Sequence, residues 1–282
     1  MTGIILGWSW ADDGTAYASS EAGDMIAENV LDVQPRRRWR AVGDGPHLLT
    51  LDWGVNKPVN MLVIAFNNLT ISSSVCISLY NQAGDTLWDQ CNTGEFSELG
   101  WGIQPLGEYG LGGTWGDANA PGGGDDNYEY KDNDYIIFSL PEAVEASSVA
   151  IEVSDGGNED GYVELGRIKV GKAIPINFTA GYEMGWNDTT TLTRTRGGAL
   201  RSNNGRPYRY ANVPVTMDDD QVQLHQIYRD IGRRYDIVWS GFPPLTSNNS
   251  SENLILGRFT DFNASVYTHE GVTTSFSIEE AI

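Results

Sequence analysis

The sequence predicts a mostly β protein of two domains: a β-sandwich at residues 1–172, and a smaller α+β module at residues 173–282 with one helix on an antiparallel sheet. Three observations support this fold class. Apolar runs are short, about four to eight residues, and turn residues separate them, as is typical of strands. Glycine is frequent, with 33 residues, and the aromatic residues are rich in tryptophan and tyrosine. Only one segment has apolar residues at helical spacing.

The first domain is predicted to contain eight strands. Each has β-branched or aromatic residues and is bounded by Gly, Pro, Asn or Asp. The segment Asn81–Asp85 predicts a hairpin turn. The last strand is expected to return beside the first strands and complete the sandwich. The predicted strands are Ile4–Trp10, Arg37–Val42, His47–Trp53, Asn60–Asn67, Ser74–Tyr80, Asp134–Leu140, Ser148–Ser154 and Tyr162–Val170.

A long insertion interrupts the first domain at about residues 85–134. Connections of this length without regular structure are usually functional or disordered. The aromatic content argues against disorder, because disordered segments are poor in aromatic residues. The aromatic residues of the insertion include Trp88, Phe96, Trp101, Tyr109, Trp115, Tyr128 and Tyr130.

The second domain is predicted to contain the helix. Acidic residues crowd a first turn at Thr216–Asp220, and Gly232 stands just past the last apolar residue of the pattern. Arg233 and Arg234 complement the negative pole of the helix at that end. The predicted strands of this domain are Asn177–Trp186, Thr190–Thr195, Arg206–Val215, Tyr235–Ser240, Asn253–Thr260, Ala264–Thr268 and Val272–Ile278.

Four segments of the first domain occur in a characteristic order. The basic and aromatic run Arg36–Arg40 is followed by the apolar runs Leu48–Gly54 and Met61–Leu69, and Gly166–Gly171 has the pattern Gly-x-Ile-x-Val-Gly. This order resembles the galactose-binding-like jelly-roll sandwich of discoidin-type and many carbohydrate-binding modules. The resemblance implies a domain that binds or scaffolds.

Five segments of the second half form another recurring pattern: Tyr208–Tyr210, Ile231–Arg234, Ile237–Pro243, Leu256–Phe259 and Phe276–Glu279. Together they resemble the C-terminal modules of tail-tip proteins from tailed bacteriophages, in a loose match that spans most of residues 175–282. The resemblance implies a virion component near the distal tail or baseplate, organised as a symmetric ring, and it implies no catalytic residue.

Charge is distributed unevenly along the chain. Residues 1–172 hold 26 acidic and nine basic side chains, whereas residues 173–282 hold 12 acidic and nine basic side chains, so the halves carry −17 and −3 of the net charge of −20. This net negative charge argues against direct nucleic-acid binding, which needs a basic surface. Every basic residue after Lys172 is arginine, the cation favoured in interfaces. Burial of this half in an assembly and simple drift in composition explain that bias about equally well.

The chain is expected to be made in a cytoplasm. No segment approaches the length of about eighteen apolar residues that a membrane span needs. The segment Met1–Trp8 lacks the basic region and the cleavage site of a signal peptide. Cys76 lies in an apolar strand-like segment. Cys91 could pair with it if the two segments run side by side, but a cytoplasmic product favours two free thiols.

No sequence pattern indicates catalysis. His47, His225 and His269 lie in separate segments, and none belongs to a nucleophile elbow or a zinc-binding helix. A structural role is favoured for each by roughly ten to one. Carboxylates are abundant, but no pair is distinguished as the acid and base of a glycosidase. The sequence also lacks a phosphate-binding loop and a dinucleotide fingerprint.

Two acidic runs are candidate calcium sites, because calcium takes six to eight oxygen ligands. The first run lies at residues 125–134, and the second is Asp155–Gly161. Solvated acidic loops are the favoured interpretation, by roughly two to one. No cofactor is required, and the candidate ligands of a structural calcium in the first run are Asp125, Asp126, Asp132 and Asp134.

The insertion also offers candidate sugar-binding residues, since carbohydrate sites combine aromatic faces with planar polar side chains. Packing of the insertion on itself or on a neighbouring subunit is favoured by roughly two to one. The polar candidates nearby are Glu108, Asp117 and Asn119. The aromatic candidates, for a glycan or an interface, are Trp101, Tyr109, Trp115 and Tyr128.

The basic run has a structural interpretation. Alternation along a strand sends Arg36, Arg38 and Arg40 to one face and Arg37 and Trp39 to the other. We expect Trp39 to pack in the core and the arginines to pair with the acidic residues of the domain. Binding of a phosphate or sulfate is the less favoured alternative, given the negative field.

The two resemblances together imply a structural, non-enzymatic virion protein at the tail tip of a phage, linking the tail tube to receptor-binding parts. Its expected partners are copies of itself in a trimeric or hexameric ring, other tail tube, hub and fibre proteins, and host-surface polysaccharide. A lectin or adhesin outside a virion is the main alternative, and a polysaccharide-degrading enzyme is a weaker one. The candidate interface arginines are Arg194, Arg196, Arg201, Arg206 and Arg209.

Overall fold

The computed structural model describes residues 2–34, 36–43, 45–70, 73–93, 135–178, 180–194, 200–203, 205, 207–217, 222–241, 254–263, 266–268 and 271–281. The chain divides into two compact units. The sandwich unit comprises Trp8–Ala173 and Phe242–Leu254. The helix-bearing unit comprises Met1–Gly7, Ile174–Gly241 and Ile255–Ile282. The predicted fold class, mostly β with antiparallel sheets and one helix, is confirmed.

The described residues form eighteen strands, two short 3-10 helices and one α-helix. The 3-10 helices are Trp10–Asp13 and Ala27–Leu31, and helix α1 is Val222–Ile231. The first nine strands are β1 Thr2–Leu6, β2 Thr15–Ala18, β3 Trp39–Arg40, β4 His47–Ala65, β5 Ser74–Tyr80, β6 Thr86–Thr93, β7 Tyr135–Ser154, β8 Glu164–Leu165 and β9 Ile168–Gly171. The others are β10 Ala173–Asn177, β11 Glu183–Asp188, β12 Thr191–Arg194, β13 Leu200–Asn203, β14 Pro207–Met217, β15 Ile237–Ser240, β16 Leu254–Phe262, β17 Val266–Thr268 and β18 Gly271–Glu280.

The sandwich unit is built on two long antiparallel strands, β4 and β7. Their sheet has the order β2-β4-β7-β5-β6, and β9 also pairs with β4. Irregularities between Asp52 and Lys57, and between Val59 and Met61, divide β4 into two halves. The first half pairs with β2 and the second half with β9, so one pair of strands serves both parts of the sandwich.

Burial follows this division. In the first half of β4, inward residues such as Leu49 and Leu51 are fully buried and alternate with more exposed ones, which is the pattern of a sheet with one open face. The run 61–65 of the second half is buried throughout. Two separately predicted strands therefore merge into β4, and two others merge into β7, because bulges bend these segments without ending them.

The helix-bearing unit contains an eight-stranded sheet of order β10-β1-β15-β16-β18-β14-β11, with β17 beside β18. The prediction that the segment Ile4–Trp10 is a strand of the sandwich is wrong for its first part: Thr2–Leu6 form β1 in this sheet, whereas residues 8–10 belong to the sandwich unit. Ile5 is the register partner of Trp239, and Leu6 is that of Val238. Strand β1 lies between β10 and β15 in this sheet, and a 3-10 helix follows it at Trp10.

Aromatic side chains fill the core of the helix-bearing unit. Trp239 is fully buried and contacts Phe178 and Phe276, with ring centroids 6.1 and 5.4 Å away. Helix α1 packs Tyr228 against Phe262 in a stacked arrangement, with centroids 4.4 Å apart. The single predicted helix on an antiparallel sheet is therefore present.

The two ends of α1 compare differently with the prediction. Gly232 has a φ of 56° and donates its N–H to the carbonyl of Tyr228, so the predicted glycine cap is confirmed. The predicted start is wrong, because Thr216 and Met217 pair with Thr273 and Val272 and extend β14. Residues 218–221, which include the acidic run, lie outside the described residues.

The cysteine prediction is also wrong, since Cys76 and Cys91 form a disulfide. They are directly opposite each other on β5 and β6. Strand β6 begins within the predicted insertion, and Asn81–Asp85 forms the predicted turn between the two strands, with the Gly84 N–H donated to the Asn81 carbonyl. The hairpin thus brings the sulfur atoms together. Among the described residues, no helix is long and apolar enough to span a membrane.

Candidate functional site

A polar cluster on the sandwich unit is the strongest candidate site among the described residues. Strands β3 and β8 pair antiparallel, with Trp39 opposite Leu165 and Arg40 opposite Glu164. Trp39 and Leu165 are fully buried. The apolar pair fixes the short ribbon on the core, and the charged pair extends from the next position along it.

Glu164 is the centre of the cluster. Its Oε1 accepts a hydrogen bond from Arg38 at 2.7 Å, and its Oε2 accepts two from Arg40 at 2.9 and 2.6 Å. The Glu164 side chain is 8 % exposed, whereas Arg38 and Arg40 are 34 % and 31 % exposed. The hydrogen bond with Glu164 is the main cause that raises the pKa of Arg40.

Both arginines keep donors for a ligand. A guanidinium carries five N–H groups in a planar fork. Within the described part of the chain, Glu164 takes one donor nitrogen of Arg38 and two of Arg40. The Arg40 guanidinium lies 3.9 Å from the ring centroid of Tyr162, which adds an aromatic group to the cluster. The arginines are thus held in place and remain partly open to solvent.

Asn68 holds the strand that carries Glu164. Its Oδ1 accepts the backbone N–H of Glu164 at 2.7 Å, and its Nδ2 donates to the Tyr162 carbonyl at 3.0 Å and to Asp160 at 3.1 Å. One amide side chain therefore fixes the backbone on both sides of Val163. This support restricts the geometry of Glu164 and Tyr162 before any ligand arrives.

The network continues to Asp155, which is fully buried. Its Oδ1 accepts the Thr70 hydroxyl at 2.6 Å, and its Oδ2 accepts the Thr70 N–H at 2.8 Å and Asn158 Nδ2 at 3.2 Å. Asn158 also donates to the Asn68 carbonyl at 3.0 Å. These contacts give the acidic run Asp155–Gly161 a structural role, in which it ties two loops together.

Calcium binding stays a prediction. No group of three or more His, Cys, Asp or Glu residues is placed to hold a metal ion within the described residues. The ligands expected for calcium lie outside those residues; they are Asp125, Asp126, Asp132 and Asp134.

The predictions for the basic run are confirmed in its central part. Trp39 is fully buried, and Arg38 and Arg40 pair with an acid. Arg37 is 59 % exposed and lies 3.3 Å from Asp32. Sequence reasoning missed Glu164 as the partner, although an acid within the otherwise apolar run Tyr162–Leu165 signals a buried charge that needs one.

The histidines described by the structure have packing contacts. His47 is buried, makes a 3.1 Å hydrogen bond with the Gly43 carbonyl and lies edge-on to Trp39. The ring of His225 lies 5.1 Å from that of Phe262. These contacts agree with the structural roles expected from the sequence.

The other predicted site residues are distributed as follows. Arg194 is exposed on β12, and Arg201 is opposite Thr193 on β13. Arg209 is 7 % exposed and forms an ion pair with Glu280, so its guanidinium belongs to the fold of its own unit. The remaining candidates lie outside the described residues; they are Arg196, Arg206, Trp101, Tyr109, Trp115 and Tyr128.

Comparison with known proteins gives no family. No family model matches the chain, and no curated protein matches it. Similar solved structures include chitosan-binding module 1 from a Paenibacillus sp. IK-5 chitosanase/glucanase, at 18 % identity and a TM-score of 0.39, covering 58 % of this chain and 98 % of that one.

Two further solved structures are similar at the same level. The lectin domain of lectinolysin complexed with Lewis b has 13 % identity and a TM-score of 0.39, and the match covers 59 % of this chain and 96 % of that one. The family 32 carbohydrate-binding module of C. perfringens NanJ in complex with galactose has 13 % identity and a TM-score of 0.38, over 61 % and 99 %.

Proposed function

We propose that the sandwich unit binds carbohydrate through the polar cluster of Arg38, Arg40, Tyr162 and Glu164, and that the protein is a binding protein without catalytic activity. The observation that carries this proposal is the pair of partly exposed guanidinium groups fixed by one buried carboxylate. Planar, oriented donors beside an aromatic ring suit the paired hydroxyl groups and apolar ring faces of a sugar.

The charge balance favours a neutral glycan as the ligand class. The two arginines and Glu164 leave one net positive charge, and the exposed Asp160 nearby offsets it. The surrounding domain is strongly acidic, so a polyanionic ligand meets unfavourable long-range electrostatics. Neutral hexose glycans avoid this cost and still accept hydrogen bonds from both guanidinium groups.

The test is a glycan array on the full chain, followed by calorimetry on the best ligand. Arg38→Ala is expected to weaken binding by about tenfold or more, since each lost charged hydrogen bond contributes about 1.5–3 kcal/mol. Arg37→Ala is the matched control, because Arg37 is in the same segment but pairs with Asp32. Its affinity is expected to stay within about twofold of the wild type.

Two outcomes contradict this site assignment. Equal affinity of Arg38→Ala and the wild type makes the cluster a purely structural network. Loss of binding in Trp101→Ala or Trp115→Ala, with normal binding in Arg38→Ala, moves the sugar site to the insertion. If the full chain binds no glycan on the array, the proposed function itself is contradicted.

A second candidate function is the tail-tip role that the resemblance implies, in a virion, with a ring of copies and with tube, hub and fibre proteins as neighbours. One observation favours it: residues 191–194 form an exposed strand of a ribbon, and such a segment suits contacts between subunits. Electron microscopy of the purified full chain tests this role. Closed rings support it, and a monomer at every concentration contradicts it.

A further inference from the structure

The most unusual surface of the helix-bearing unit is a long two-stranded arm. Strands β11 and β14 pair from Glu183–Asn212 to Asp188–Pro207, and β18 pairs with β14 only from Tyr210 onward. Strands β12 and β13 pair beyond them from Thr191–Asn203 to Arg194–Leu200, so the arm comprises residues 186–194 and 200–209. The ribbon of β12 and β13 therefore prolongs the same hairpin. All four residues of β12 are exposed, so both faces of this strand are open.

The arm exposes two large apolar side chains. Trp186 is 67 % exposed and Leu192 is 62 % exposed. The Arg209 guanidinium lies 5.7 Å from the centroid of the Trp186 ring, and Arg209 is itself fixed by Glu280. A tryptophan held in this way on an open surface is typical of an interface centre, where tryptophan and arginine are enriched.

The arm is also basic in an acidic protein. Residues 186–209 contain five arginines, one acid (Asp188) and no lysine, so the arm carries a net charge of +4 and the rest of the chain −24. Among these arginines, Arg194 is exposed. The arm therefore complements an acidic, partly apolar surface, and this chain carries such a surface itself.

That surface is the open face of the sheet of β2, β4, β7, β5 and β6 in the sandwich unit. Tyr17 and Leu48 are 63 % and 44 % exposed on it. The register places Leu48 opposite Glu152, and the exposed Asp52 and Asp89 belong to the same face. Neither β2, β5 nor β6 contains lysine or arginine, nor do residues 47–52 and 148–154.

We propose that the arm of one copy of this chain docks on the open sheet face of a second copy. Trp186 and Leu192 would meet Tyr17 and Leu48, while the exposed Arg194 would meet the carboxylates of the face. The contact joins two different surfaces, so repeated use gives a ring where the rotation closes and a filament where it does not. It uses other residues than the polar cluster and does not depend on sugar binding.

The test uses two charge reversals on the full chain, measured by light scattering and analytical ultracentrifugation. Arg194→Glu damages the arm and Glu152→Arg damages the face. Each is expected to weaken self-association by about tenfold or more, and high salt is expected to weaken it in the wild type. Arg229→Glu is the control, because Arg229 is 74 % exposed on α1 and belongs to neither surface; it is expected to behave as the wild type.

Mixing the two damaged variants distinguishes this contact from others. The Glu152→Arg protein keeps an intact arm and the Arg194→Glu protein keeps an intact face, and the two reversed charges are complementary to each other. The mixture is therefore expected to recover the self-association that each variant alone has lost. A monomeric wild type at every concentration overturns the proposal. Binding of a duplex oligonucleotide by that monomer, lost in Arg194→Glu, would assign the arm to nucleic acid. Self-association unchanged in both variants also overturns it.

Discussion

Replacing Asp12 by alanine is expected to destabilise the sandwich unit by about 3–5 kcal/mol, because the change leaves a buried cation without this carboxylate. Arg167 is 1 % exposed and donates to Asp12 at 2.6 Å. It also donates to the Leu31 carbonyl at 2.6 Å. One guanidinium therefore joins both 3-10 helices to the strands, and the second of these helices precedes the segment with Arg38 and Arg40.

Hydrogen exchange measured on the full chain locates this effect. Amides of β9 and of the two 3-10 helices are expected to lose protection in Asp12→Ala, and glycan affinity is expected to fall with them. Asp13→Ala is the matched control, since Asp13 is the exposed neighbour in the same turn. Equal protection in the two variants would contradict an energetic role of the Arg167–Asp12 pair.

Local patterns predicted the parts of the site that depend on neighbouring residues. Alternation in the basic run was enough to place Trp39 inside and the arginines toward acids. The identity of the acid was not predictable in the same way, because Arg40 and Glu164 are separated by 124 positions and meet only through the pairing of β3 and β8. The supporting contacts of Asn68 and Asp155 also join distant loops.

The disulfide shows that an expectation based on the cellular compartment can be overruled by the pairing of two strands. The expectation of free thiols rested on the compartment in which the chain is made. The structure places Cys76 and Cys91 on directly opposed positions of one hairpin. The turn at Asn81–Asp85 was predicted correctly, and strand register counted from it would have suggested the pairing.

The first strand was misplaced for a related reason. Short apolar runs identify a strand but do not tell which sheet it joins, because that choice depends on partners far away in sequence. Strand β1 is followed immediately by the sandwich unit, yet it pairs with β15, more than 230 positions later. Ile5 and Leu6 of β1 are fully buried in that unit.

Strand β1 is far in sequence from its partner strand β15, and a substitution in β1 is the second prediction with a large expected effect. Ile5→Ala is expected to destabilise the helix-bearing unit by about 2–5 kcal/mol, the usual cost of removing most of a fully buried isoleucine. Ile5 is 0 % exposed and is the register partner of Trp239. Amides of β15 are therefore expected to exchange roughly 30-fold faster or more, since each 1.4 kcal/mol corresponds to a factor of ten.

The neighbouring residue gives the control for this prediction. Ile4 is only half-buried and its side chain alternates to the other face of β1, so Ile4→Ala is expected to change the exchange of β15 much less. The location of the change matters as much as its size. If Ile5→Ala deprotects β2 and β4 and leaves β15 unchanged, β1 belongs to the sandwich, as its sequence pattern predicted, and the discontinuous helix-bearing unit is wrong.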